Sequence, residues 1–160
     1  HQDKLAKTNE ITTIEFETLT EVTITLAELF ASKKLYGKSK DNTIIGMFKY
    51  GFWTLKFNFM DFLLLIKIVA SGNRGFPIIK HKTKFGKWIA DQYTRAGTVK
   101  TLFEKDLPIE NDTFIQGEYI IEVEMPKDFE QYMKKTYNET LSKDVVTVAQ
   151  LETVTYQVCQ

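Results

Sequence analysis

His1 and His81 are the only two histidines in the 160 residues, and together they suggest one specific chemistry. A histidine that begins a chain offers its amine and one ring nitrogen to a single metal ion. A second histidine completes a T-shaped site, and amine and imidazole donors on a strand scaffold suit Cu(II). On that reading His1 and His81 would be the metal ligands of a copper-dependent monooxygenase. No further motif accompanies them. A residual tag or an ordinary mature terminus is the plainer account of His1, so the primary expectation is no metal and no cofactor.

Other catalytic patterns are missing. Ser71-Gly72-Asn73-Arg74-Gly75 lacks the glycine spacing and the following Lys-Ser/Thr of a phosphate-cradling loop. There is no Gly-x-Ser-x-Gly elbow, no Cys-x-x-Cys and no His-Glu-x-x-His. Glu122 and Glu124 share one face of a strand pattern, but such a pair is ordinarily a solvated face. General acid–base work would fall to His81 or to carboxylates alone. The expectation is a chain with no catalytic residues.

Binding is better represented. Phe48, Tyr50, Phe52, Trp53, Phe57, Phe59 and Phe62 put large rings on both parities of one stretch. A strand that is apolar on both faces is covered on both, by helices, by another subunit or by a bound molecule. Phe52, Trp53, Phe57, Phe59 and Phe62 are therefore the candidate contacts for a hydrophobic ligand.

The elements that must position these groups follow from periodicity. Ile14, Phe16, Val22 and Ile24 suggest a strand within 11–25. Thr25 and Glu28 then form a capping box for a helix over 26–36, ended by Gly37. Trp53, Leu55, Phe57 and Phe59 alternate within a strand pattern over 43–60. Phe62, Leu64, Ile66 and Ile68 fall on the other parity, which needs a bulge near Met60–Asp61 or, alternatively, a buried helix over 60–70. A turn follows at 71–75. Ile79, His81, Thr83 and Phe85 then alternate with Lys80, Lys82 and Lys84 as a strand with a cationic outer face. Trp88, Ile89, Gln92, Tyr93 and Ala96 form a helical stripe closed by Gly97. Residues 107–112 read as a loop. Tyr119, Ile121, Val123 and Met125 are the inner face of a strand ended by Pro126. Phe129, Tyr132, Met133 and Tyr137 mark a helix over 128–141. Val154, Tyr156 and Val158 alternate with Thr153, Thr155 and Gln157 in a last strand over 144–158.

This order predicts an α+β domain, one unit over 1–160. Its sheet would be mainly antiparallel, sandwich-like or barrel-like, with two to three short helices on one face or end. Residues 1–10 read as an arm, flexible or exchanged between chains.

Charge is balanced, with 21 basic and 21 acidic residues, and all the basic ones except Arg74 and Arg95 are lysines. Both facts argue against nucleic acid, whose recognition favours net positive charge and Arg forks. The Lys80–Lys84 face is expected to lie beside the Glu122–Glu124 face on paired strands. The apolar run Phe62–Ile66 is far too short to span a bilayer, so no transmembrane segment is expected. Cys159 is the single cysteine and allows no internal disulfide. Asn111-Asp-Thr and Asn138-Glu-Thr are sequons that matter only in a secreting eukaryote. The leading functional expectation is a non-enzymatic, extracytoplasmic or secreted assembly subunit that self-associates. A carrier holding a lipid-like molecule between helices and sheet comes second, and the copper enzyme third.

Overall fold

The computed structural model describes residues 11–51, 59–131 and 135. The first element is α1, Leu19–Ala31. Thr18 caps it: its hydroxyl accepts from the Glu21 N–H at 3.2 Å, and the Glu21 carboxylate accepts from the Thr18 N–H at 3.2 Å. The sequence carries the same signature twice, Thr18-Leu-Thr-Glu21 and Thr25-Leu-Ala-Glu28. The first is the true start, so the expected strand over 11–25 and the helix start at Thr25 are both corrected. Leu19, Leu26, Ala27 and Phe30 lie on one helical face and are buried. That burial outweighs the β-branched run Val22–Thr25, whose propensity favours a strand. A 3₁₀ turn, Lys34–Tyr36, follows and ends at Gly37.

Strand β1, Thr43–Phe48, buries Ile44, Gly46 and Phe48 on one parity. Helix α2, Phe59–Ala70, occupies the end of the aromatic-rich stretch and the leucine run after it. The buried-helix reading of 60–70 is therefore correct, and the strand with a bulge is not. After the turn at Ser71–Gly72 comes β2, Arg74–Ile79. Pro77 is accommodated because the far side of β2 is paired only at Ile78 and Ile79.

The expected strand over 79–85 does not form. Ile79 ends β2, Lys80 and Lys82 lie in the connection, and Lys84 opens α3, Lys84–Ala96. The Thr83 hydroxyl caps α3 by accepting from the Gly86 N–H at 2.9 Å, and Gly97 ends it at φ 109°. The remaining strands are β3, Leu102–Phe103, β4, Asp112–Gln116, and β5, Tyr119–Val123. The sequence reading had not identified β4. A two-residue turn with Gly117 at φ 58° joins it to β5. Residues 127–131 and 135 are helical and belong to α4.

These strands make one open, mixed sheet in the order β3-β2-β1-β4-β5. β1 runs parallel to β2, and β2 to β3, while β4 is antiparallel to both β1 and β5. The class is α+β, but the sheet is neither mainly antiparallel nor a sandwich or barrel. Two parallel crossovers, through α2 and α3, are the reason. The expected Lys–Glu pairing also fails, because β1 and β4 stand between β2 and β5.

Helices α1, α2 and α3 cover the face carrying Ile44, Phe48, Ile79 and Phe114. Phe48 meets Phe114 at 5.4 Å and Tyr93 of α3 at 6.2 Å. Ile89, Tyr93 and Phe129 of α4 belong to the same buried cluster, and Trp88 is half-buried against it. Among the described residues no helix is long and apolar enough to cross a membrane.

Candidate functional site

Gly46 stands on the inward parity of β1, where its neighbours Ile44 and Phe48 carry large side chains. The Phe48 ring folds over it so closely that a Cβ at position 46 would lie 2.3 Å from the ring Cζ. Above this floor, α1 contributes Leu26, Ala27 and Phe30, and α2 contributes Leu64, Leu65, Ile68 and Val69. Between them remains a partly enclosed cavity of about 120 Å³. Its lining is apolar except for Thr23, Thr98 and Tyr93. The Thr23 hydroxyl donates to the Leu19 carbonyl and that of Thr98 to the Val99 carbonyl, both at 3.0 Å. No described lysine, arginine, aspartate or glutamate lines the space.

Size and polarity decide what can enter. Pockets for drug-sized ligands measure roughly 300–1,000 Å³, whereas a dry apolar cavity of about 150 Å³ holds benzene. The space suits an uncharged apolar molecule of about benzene's size. An acyl chain with a carboxylate head exceeds it and meets no cation in the lining.

A buried amide holds the helices over one end of the sheet. The Asn73 side chain donates to the Phe30 carbonyl at 3.1 Å and to the Ile68 carbonyl at 2.9 Å. Both carbonyls belong to the last turns of helices, where the backbone lacks its usual intrahelical donors. One side chain thus fixes α1 and α2 relative to each other. Gln116 of β4 backs it, donating to Asn73 Oδ1 at 2.9 Å and to the Asp41 carbonyl at 3.2 Å.

The opposite end of the sheet, where β1 and β2 finish, is the usual place for ligands in open α/β sheets. Here it is occupied by protein. Asp112, only 4% exposed, accepts from the Lys49 N–H at 3.0 Å. Burial raises its carboxyl from 3.8 to about 6, against the lowering effects of that N–H and of the Lys49 charge. Lys49 forms an ion pair with Glu130 of α4. Tyr50 stacks on His81 at 4.7 Å, and burial raises its phenol as well. The space beside Lys49, Asp112 and Glu130 is about 10 Å³, room for no more than a water molecule. Through the Lys49 N–H, Asp112 latches the start of β4 to the chain just after β1.

The residues marked in the sequence are not the ones brought together. Phe52, Trp53 and Phe57 lie outside the described residues, as do His1, Asn138, Tyr132, Met133, Tyr137, Cys159 and the segments 1–10 and 144–158. Phe59 opens α2, and Phe62 is half-buried on it but does not line the cavity. His81 is exposed in the connection after β2, and Asn111 is half-buried before β4. Among the described residues no three His, Cys, Asp or Glu side chains are grouped to hold a metal. Ala27, Asn73, Asp112 and Gln116 carried no pattern that singled them out. A usable signal was present in Ile44-x-Gly46-x-Phe48, where a glycine on the buried parity of a strand leaves a gap in the layer above. Compared with known proteins, the chain matches no family model, and no match appears among curated proteins or solved structures.

Proposed function

We propose that the chain is a non-catalytic binding module that takes a small, uncharged apolar molecule into the cavity between α1, α2 and the sheet. The observation that carries this reading is the cavity itself, about 120 Å³ with an apolar lining whose threonine hydroxyls are already engaged. It narrows the lipid-like carrier expected from sequence to a much smaller ligand.

Benzene is the probe. Titration followed by methyl NMR should shift Ala27, Ile44 and Leu65. At tenfold excess over Kd, binding should add about 1.4 kcal/mol of stability. Ala27→Leu fills the space from α1, and should abolish the shifts while the protein stays folded or gains roughly 0.5–2 kcal/mol. Absence of shifts in the parent chain at millimolar benzene would refute the reading.

Self-association through the leading segment is the second reading. Residues 11–16 belong to no helix or strand, and Ile11 and Ile14 are 91% and 67% exposed. Apolar side chains presented in this way fit an intermolecular contact. Light scattering before and after deletion of residues 1–16 tests it, and an unchanged mass removes the case.

A further inference from the structure

The lining of the cavity is of two kinds. From α2 it is aliphatic, with Leu64, Leu65, Ile68 and Val69. Four other elements each place one ring against the same space: Phe30 of α1, Phe48 of β1, Tyr93 of α3 and Phe114 of β4.

These rings form one connected chain. Phe30 meets Phe114 at 5.4 Å with the planes 52° apart, and Phe114 meets Phe48 at 5.4 Å and 66°. Phe48 then meets Tyr93 at 6.2 Å and 56°. None of the four is more than 8% exposed. Gly46 makes room for the chain on the sheet, since the Phe48 ring takes the space that a side chain at position 46 would need.

An aromatic ring is negative over its face and positive at its edge. Tilted pairs with centroids roughly 4.5–7 Å apart therefore attract beyond the burial of their area. Every contact in this chain is tilted, and Phe114 stands in the middle, touching both Phe30 and Phe48. A guest ring can join the chain as one more tilted partner. A saturated guest offers the same area without the ring's charge pattern.

We propose that the cavity selects a small aromatic ring over a saturated hydrocarbon of equal volume, and that Phe114 sets this preference. The inference rests on the cavity being a binding site and adds the class of ligand. Burial alone predicts the opposite order. At equal volume a saturated hydrocarbon is the more hydrophobic, so a site reading only area would favour it.

Benzene and cyclopentane make the comparison, because they are close in volume and cyclopentane is the less soluble in water. Each is titrated into the full chain and followed by the methyl signals of Ala27, Ile44 and Leu65. One tilted contact multiplies affinity by roughly 2- to 12-fold, so two or three outweigh the hydrophobicity of cyclopentane and leave benzene ahead by about tenfold. Phe114→Leu removes the middle ring and keeps the position apolar. It should bring the two affinities level or reverse their order. If that variant does not fold, the parent ratio decides alone. Cyclopentane binding the parent as tightly as benzene overturns the selection and leaves a site read by size. An unchanged ratio in Phe114→Leu removes Phe114 from it. Binding of neither hydrocarbon refutes the cavity as a binding site, and this proposal with it.

Discussion

Two polar clusters stand at opposite ends of β1, one of neutral amides and one built around a buried carboxyl. At the first, Asn73 donates to the ends of α1 and α2 while Gln116 backs it from β4. At the second, Asp112 takes the Lys49 N–H, and Lys49 reaches Glu130 of α4. Both tie separate elements to the sheet, and the apolar cavity lies between α1, α2 and the same sheet. They differ in what burial costs. A neutral amide with its donors placed is nearly free to bury, whereas a carboxyl loses hydration that one N–H and a half-exposed lysine do not restore. The clusters should therefore respond oppositely to pH and to isosteric substitution.

The largest effect is expected from making the first cluster resemble the second. Asn73→Asp keeps the shape but removes the amide donors facing the Phe30 and Ile68 carbonyls. A buried charge with no counter-ion, met only by the Gln116 amide, costs about 3–5 kcal/mol. The loss should grow with rising pH, because the protonated acid can still donate one hydrogen bond. Urea titrations at pH 4 and pH 7 measure it, and a small, pH-independent loss would show that the amide does not hold the helix ends.

The reverse change, Asp112→Asn, should remove a pH dependence. Because the folded carboxyl titrates near 6 and its ordinary value is 3.8, the folded state binds the proton more tightly than the unfolded one. The contribution of Asp112 to stability is then full below about pH 4, declines through pH 6 and is flat above it. The decline amounts to about 3 kcal/mol for a shift of that size. Parent and variant curves, superposed at pH 4, should diverge by that amount at pH 7, with the variant the more stable. Parallel curves would contradict the burial of this group.

How much of this was readable beforehand depends on which force decides each element. The stripe of α3 and its Gly97 stop were legible because amphipathic period and cap agree, and β5 was legible from its alternation up to Pro126. α1 was displaced because two identical capping signatures stand seven residues apart, and only packing of Leu19 against the sheet side selects the first. The Lys80–Lys84 alternation looked like a strand, but Thr83 caps a helix there and the lysines fall on the connection and first turn. The site was the least legible part. A cavity is a property of what three elements fail to fill, and Asn73 reads locally as a turn residue. Its two acceptors come from carbonyls 43 and 5 residues away in sequence.

The twin signatures offer a smaller test. Thr18→Ala removes the hydroxyl that accepts from Glu21 N–H and should cost about 1 kcal/mol. Thr25→Ala, inside α1 and exposed, should be neutral or slightly stabilising, since alanine is the better helix former. Equal losses from both would place the start of α1 elsewhere.

The smallest change in stability, and the sharpest reading of the charged cluster, is expected from Lys49→Met. The side chains of Lys49 and Glu130 are 23% and 40% exposed, so the pair is screened and contributes no more than about 1 kcal/mol. The backbone N–H that serves Asp112 is untouched, and methionine keeps the aliphatic stem in place. What the substitution removes is the charge that holds Asp112 down against burial. The Asp112 midpoint should therefore move above 6 even though stability at pH 4 barely changes. Carboxyl chemical shifts followed through a pH titration would report this directly. An unmoved midpoint would mean that Lys49 serves Asp112 through its backbone alone, leaving the ion pair as a contact of α4 and no part of the latch.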